Sequence, residues 1–218
     1  VRPGVPVMYG GFTSNVDMGT GSPAFGTPEY SVAAMASGQL ARRVGVPFRS
    51  SNVTSANAVD AQAAYESMMA LWGVMLGGAH LVEHAAGWMH GGLTASFEKL
   101  VLDAEMLQML QAAQTPISTD AAELALEAIA EVGPGGHFFG SSHTLARYRE
   151  AFHRPMLSDW SPHEAWLAAG SQGTVERAAA LWPKLLAEYQ EPALPEDRAE
   201  ELAAWVARRK AEGGAPMN

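Results

Sequence analysis

The sequence contains no cysteine. That excludes disulfides, thiolate metal ligands and a cysteine nucleophile, and it is compatible with the cytoplasm. Long apolar runs are missing too. The richest segment, Leu71 to Val82, is interrupted by Gly77, Gly78 and His80 and falls short of the roughly 20 residues of a membrane helix. It reads as a buried element. Positive charge is scarce: 14 lysines and arginines stand against 23 aspartates and glutamates, a net charge of −9. Nucleic-acid binding therefore has no electrostatic support. With 48% apolar and 17% charged residues, the chain is globular, neither disordered nor fibrous. Its 218 residues suit one domain or slightly more.

The chain opens on Val1, and no basic-then-apolar signal follows. Val1 to Gly11 reads like the inside of a domain, with an apolar run from Val5 to Tyr9 closing on Gly10-Gly11. Natural domains rarely open on a buried strand. The opening thus predicts a piece of a longer protein.

Short apolar runs then alternate with helices. Val5 to Tyr9 reads as a strand, followed by a glycine-rich loop from Gly10 to Gly26. Thr27-Pro28-Glu29 supplies an N-cap, an N1 proline and a first-turn acid, so a helix is expected through Tyr30 to Arg43, stopping at Gly45. Val46 to Arg49 reads as a second strand, Ser50 to Asn57 as a polar loop, and Asp60 to Leu76 as a second helix. Ala79 to Ala86 reads as a third buried strand, 87–94 as a loop, and Ser96 to Ala113 as a third helix. Further helices are expected over 119–132, 143–152, 161–169, 173–189 and 196–210.

Three strand–loop–helix units in succession indicate parallel α/β architecture. The loops after the strands lie where a TIM (β/α)8-type barrel carries its site. Three units are too few to close that barrel. The expected fold is therefore part of a TIM barrel over residues 1–118, with remaining barrel elements and a helical C-terminal extension over 119–218. Open strand edges of this kind favour association, so a homo-oligomer, or a missing N-terminal half, is expected.

Three constellations could carry chemistry. His80-Leu-Val-Glu83-His84 offers two histidines and a carboxylate. On a helix the two imidazoles would share a face and suit zinc; on a strand Glu83 would point away from both. The order is not HExxH, so the metalloprotease motif is absent, and a barrel-lining role for Glu83 or His84 is the plainer reading. The second stretch runs from Glu131 through Gly133-Pro134-Gly135-Gly136 to His137 and His143. It builds no regular element and no nucleotide fingerprint, and is either a site loop or a structural turn. Third, of the aromatics Tyr9, Phe12, Phe25, Tyr30, Phe48, Tyr65, Trp72, Trp88, Phe138 and Phe139, several fall at expected strand ends or in loops. Rings beside a carboxylate make a cage for a quaternary ammonium. Ser141 and Ser142 precede His143, but no GxSxG motif is present.

Seven segments in order now become informative: Gly26-Thr-Pro-Glu-Tyr30, Gln39-Leu-Ala-Arg42, Asp60 to Glu66, His84-Ala-Ala-Gly87, Gly92 to Ser96, Glu131 to Phe138 and His143-Thr-Leu. Together they resemble the trimethylamine methyltransferase family over residues 26–206, as the C-terminal portion of a longer family chain. The resemblance implies a barrel enzyme that passes a methyl group from a methylated amine to the cobalt of a corrinoid (cobalamin) held by a partner protein. It implies no metal bound directly. Archaeal members carry pyrrolysine in the loop before the segment matching Thr54 to Tyr65; Val53 stands there here, and Asn57 stands where members often have lysine. No lysine occurs between Arg49 and Tyr65.

Amine chemistry gives that departure a meaning. A tertiary amine needs activation before its nitrogen can leave, whereas a quaternary ammonium leaves as a neutral amine. The resemblance thus points to a quaternary amine such as glycine betaine, carnitine or proline betaine, or else to a methylamine. Tyr9, Phe12 and Trp88 are the candidates to face the ammonium. Asn52, Asn57, His84 and His137 could hold a carboxylate tail, and Glu83 or Glu131 could balance the cation. No catalytic residue is assigned. The rival expectations are a non-catalytic quaternary-amine-binding or assembly module, and a metal-dependent barrel hydrolase built on His80, His84 and His137.

Overall fold

The computed structural model describes residues 2–214; the first residue of the expected opening segment, Val1, lies outside them. The fold is mixed α/β. Its elements are β1 (Tyr9–Gly10), β2 (Asn15–Val16), β3 (Pro23–Ala24), α1 (Pro28–Val44), β4 (Phe48–Ser51), α2 (Ala61–Leu76), β5 (Leu81–Glu83), β6 (Trp88–Met89), β7 (Thr94–Ala95), α3 (Phe97–Ala113), α4 (Ala121–Leu124), α5 (Leu126–Val132), α6 (Ser142–Arg147), α7 (His163–Ala168), α8 (Thr174–Ala187) and α9 (Glu196–Ala211). Two compact units divide within α8, between Pro183 and Lys184.

In the first unit, β1, β4 and β5 form a parallel sheet in that order, with Tyr9 opposite Phe48, Arg49 opposite Leu81 and Ser51 opposite Glu83. Each strand leads, directly or through a short hairpin, to α1, α2 or α3. The three expected βα units are therefore present. Capping explains their sharp helix starts: Thr27, Asp60 and Ser96 each accept a backbone N–H from the first turn of their helix. Gly45 ends α1 at φ 70°, the left-handed conformation a glycine adopts without cost.

Helices α1 and α2 pack at backbone distance. A Cβ on Gly38 would lie 1.9 Å from the Gly77 carbonyl oxygen, and the Ser31 hydroxyl donates to the Met69 carbonyl at 2.7 Å. The core beneath the sheet is built from Phe25, Tyr30, Ala34, Val53, Ala70 and Val74. A neighbouring cluster of Leu71, Met106 and Leu110 joins α2 to α3.

Several expected boundaries change. The first strand is confined to Tyr9–Gly10, while Val5, Val7 and Met8 are exposed, because β1 pairs on one side only. The second strand runs Phe48–Ser51, two residues later than expected, and the expected polar loop is the most buried part of the chain: Ser50, Ser51, Asn52, Val53 and Thr54 are all at most 1% exposed. Inside, the Ser50 hydroxyl donates to the Gly11 carbonyl and the Thr54 hydroxyl to the Glu66 carboxylate, which satisfies those two groups away from water. The third strand is Leu81–Glu83, ended by His84 at φ 53°. Two hairpins, β2–β3 and β6–β7, were not anticipated. The helix expected over 119–132 breaks into α4 and α5 at Ala125 (φ 52°), and that expected over 143–152 ends at Arg147.

The second unit begins at Lys184, in the last turn of α8, and contains α9. Helix α9 is exposed except at half-buried Val206, with Glu196 and Asp197 in its first turn and Arg208, Arg209 and Lys210 in its last, matching the helix dipole. Among the described residues, no helix is long and apolar enough to cross a membrane.

Candidate functional site

Parallel strands bring their carboxyl ends to one edge, and loops leave from there. Past Gly10 comes Phe12, past Ser51 come Asn52 and Val53, and past Glu83 comes His84. Aromatic rings converge at this edge. Phe12 lies 5.4 Å from Phe25, 5.9 Å from His84 and 6.5 Å from Tyr30, ring centroid to centroid. Trp88 closes the group, 5.1 Å from Phe25 at 80° and 5.7 Å from His84. The inner rings, Phe25 and Tyr30, are buried, while Phe12 is 42% exposed. The cluster thus has a packed floor and an open side. Fully buried Val53 belongs to the same core cluster as Phe25 and Tyr30, so the loop after β4 presents an apolar side chain there.

Polar groups frame the rings. Tyr30 donates its hydroxyl to the Ser51 carbonyl at 2.9 Å, and burial pushes its phenol above the ordinary tyrosine range. His84 Nδ1 sits 3.2 Å from the Ser51 hydroxyl. Asn52 is 1% exposed; its amide donates to the Ala85 carbonyl at 2.9 Å, and its Oδ1 has no partner.

Behind the strand ends lies a buried charged group that sequence reading missed. Glu66 Oε2 accepts from the Thr54 hydroxyl at 2.6 Å and from the Ser55 and Ala56 N–H groups at 2.7 and 3.1 Å. Lys99 Nζ donates to the Ser67 hydroxyl at 2.7 Å and to Asp103, and Asp103 accepts the Gly87 N–H at 2.9 Å. Desolvation pulls the Lys99 ammonium below the ordinary lysine range and pushes the Asp103 carboxyl up; their mutual attraction opposes both shifts. In the sequence Lys99 and Asp103 show only the four-residue spacing of an ordinary helix pair; their burial on α3 is what the structure adds.

Of the candidates named from sequence, Phe12, His84 and Trp88 come together, while Asn52 is buried in the loop after β4 with its amide on the Ala85 carbonyl. Tyr9 does not join them: it lies on β1 itself and packs on Phe48, centroids 6.3 Å apart. Glu83 pairs with Arg49 on the sheet, so its charge is already matched by a cation. Asn57 is exposed on the loop before α2. Glu131 lines a separate cleft of about 700 Å³ between α4, α5 and α6, with Leu124, Leu126 and His143. His137 is exposed against Phe139, centroids 5.7 Å apart.

The histidine-based metal reading loses its geometry. His80 Nδ1 accepts the Phe48 N–H at 3.2 Å, whereas His84 turns away beyond the strand end to meet Ser51. Among the described residues, no group of three or more His, Asp or Glu side chains is arranged to hold a metal ion.

The rings gather at the carboxyl edge of a parallel βα sheet, the edge at which α/β proteins generally take small ligands. The chain belongs to the trimethylamine methyltransferase family: the sequence profile described as Trimethylamine methyltransferase (MTTB) matches residues 1–214. It is similar to the glycine betaine methyltransferase of Desulfitobacterium hafniense strain Y51, 40% identical over 215 residues, covering 98% of this chain and 45% of that protein. It is also similar to the trimethylamine methyltransferase MttB of D. hafniense strain DSM 10664 / DCB-2, 31% identical over 97% of this chain and 42% of the relative. The Methanosarcina barkeri strain Fusaro MttB is 30% identical over 94% of this chain and 41% of the relative. The chain thus spans less than half the length of these relatives.

Proposed function

We propose that this chain is the C-terminal part of a barrel methyltransferase of the cytoplasm, which moves a methyl group from a quaternary amine of the glycine betaine type to the Co(I) of a corrinoid carried by a partner protein. The observation that carries this reading is the ring cluster of Phe12, Phe25, Trp88 and His84 at the strand ends, above the apolar Val53. Aromatic faces attract an N-methyl cation through their quadrupoles, each by about 0.5–2 kcal/mol.

In this reading Phe12 and Trp88 hold the ammonium and orient one methyl outward. His84, beside the rings of Phe12 and Trp88, is the candidate for the carboxylate tail. The methyl carbon–nitrogen bond breaks with its electron pair staying on nitrogen, so a neutral tertiary amine departs. The new bond forms from the methyl carbon to the acceptor, which supplies the nucleophilic electron pair. No proton moves, which suits a loop after β4 that presents Val53 and no lysine. The exposed side of Phe12 suits a cluster that an acceptor on another protein must reach. The protein's contribution is position and electrostatics.

The test mixes the intact natural chain with its corrinoid acceptor and a panel of quaternary and tertiary amines, following methylation of the corrinoid by absorbance. Methylation from a quaternary amine and not from trimethylamine is the expected result. Binding of the quaternary amine without methyl transfer would instead favour a binding module, and transfer from trimethylamine alone would overturn the substrate assignment.

A further inference from the structure

We propose that the buried group Glu66, Lys99 and Asp103 is the positioning device of the strand-end site, fixing the Phe25–Trp88 ring pair from the two helices behind it. The inference rests on the reading that these rings face the ligand.

Each ring of the pair is tied to one buried carboxylate. Phe25 donates its backbone N–H to the Ser55 hydroxyl at 2.8 Å, and the Ser55 N–H donates to Glu66 at 2.7 Å. The next residue, Gly26, has φ 72° and sits so close that a Cβ there would lie 2.4 Å from the Glu66 Cβ. Trp88 is held from the other side. It follows Gly87, whose N–H donates to Asp103 at 2.9 Å at φ 85°. Lys99 then links the two helices, because Ser67 on α2, the neighbour of Glu66, and Asp103 on α3 both bind its ammonium.

Position follows from desolvation. The Lys99 and Asp103 side chains are 0% exposed, so neither ion can exchange its protein partner for water without a large penalty. A lysine of this kind has one low-energy place, and the acceptor that Asp103 offers Gly87 is fixed with it. Were the group only a support for the fold, its removal would loosen α2 and α3 throughout. A positioning role moves the ring next to Gly87 first.

Two neutral replacements separate these cases in the intact natural chain labelled with 5-fluorotryptophan, the Trp88 signal being assigned with Trp88→Phe. Lys99→Met with Asp103→Leu removes the ion pair and the acceptor for Gly87; Lys99→Met with Asp103→Asn removes the charges and keeps an acceptor oxygen. The leucine variant is expected to shift and broaden the Trp88 fluorine signal alone, and the asparagine variant to restore it. Glycine betaine affinity is expected to fall about tenfold in the leucine variant and to recover in the asparagine one. An unmoved Trp88 signal in both variants, or equal movement of all tryptophan signals, would overturn the proposal. Should the leucine variant not fold, Ser55→Ala cuts the tie from Glu66 to Phe25 at a half-buried position and is expected to move the same signal through the ring contact; an unmoved signal there counts equally against it. If the intact protein binds no quaternary amine while Trp88 still responds, the functional reading fails and the positioning role stands.

Discussion

Trp88 stands edge-on to Phe25, 5.1 Å between ring centroids and 80° between planes, although the two rings come from the first and third βα units. That contact joins the loops of separate strands over one floor. It makes the ring cluster a product of the whole parallel sheet and of no single motif.

Trp88→Leu keeps an apolar side chain and removes the ring face. Binding of glycine betaine to the intact chain is expected to weaken by about 1–2 kcal/mol, on the order of tenfold. Titration calorimetry measures it. Glu83→Gln, by contrast, is expected to leave that affinity within about twofold, since Arg49 already engages the carboxylate. A tenfold loss with Glu83→Gln would return that residue to the ligand.

The Arg49–Glu83 pair is itself a modest contributor to stability. Its side chains are 35% and 37% exposed, so solvent screening limits the coupling. A double-mutant cycle with Arg49→Ala and Glu83→Ala, read by urea denaturation, should return about 0.2–1 kcal/mol.

Alkaline pH should act through Tyr30. Burial raises its phenol above the ordinary value of 10.0. Below pH 10.0 the phenol is protonated in both states, and its contribution is fully present. Above that value the unfolded chain ionises while the folded one keeps its proton, so stability falls as pH rises toward the folded value. Tyr30→Phe is expected to cost about 1 kcal/mol at neutral pH through the lost bond to Ser51 and to flatten the alkaline decline. Denaturation midpoints of both proteins across the alkaline range provide the comparison; an equally steep decline in both would refute it.

Helix contact makes a separate prediction. Gly38→Ala puts a Cβ 1.9 Å from the Gly77 carbonyl oxygen, and forcing α1 and α2 apart should cost about 1–3 kcal/mol. Leu71→Ala, at a fully buried position between α2 and α3, should cost about 2–5 kcal/mol. Thermal unfolding would show both, and a neutral Gly38→Ala would mean that the helices approach less closely.

Local chemistry was legible where a residue acts on its own neighbours. Thr27, Asp60 and Ser96 cap the helices expected to follow them, and Gly45 ends the first. Their reach is three residues or fewer, so sequence order alone suffices. The seven family segments were also legible, and the family match agrees with them.

Other features depended on distant partners. Ser50 to Asn57 read as a polar loop, yet the Ser50 and Thr54 hydroxyls find Gly11 and Glu66 inside. Glu83 looked available for a ligand until the sheet register set Arg49 within reach. Tyr9 and Phe12 are three positions apart, but β1 ends between them, sending one ring to Phe48 and the other to the strand-end cluster. The sequence by itself determined the alternation of strands and capped helices, the family, and which residues carry rings. Tertiary structure alone decided which rings meet and which charges are spent on each other, because burial and hydrogen bonding over long sequence separations are properties of the packed chain.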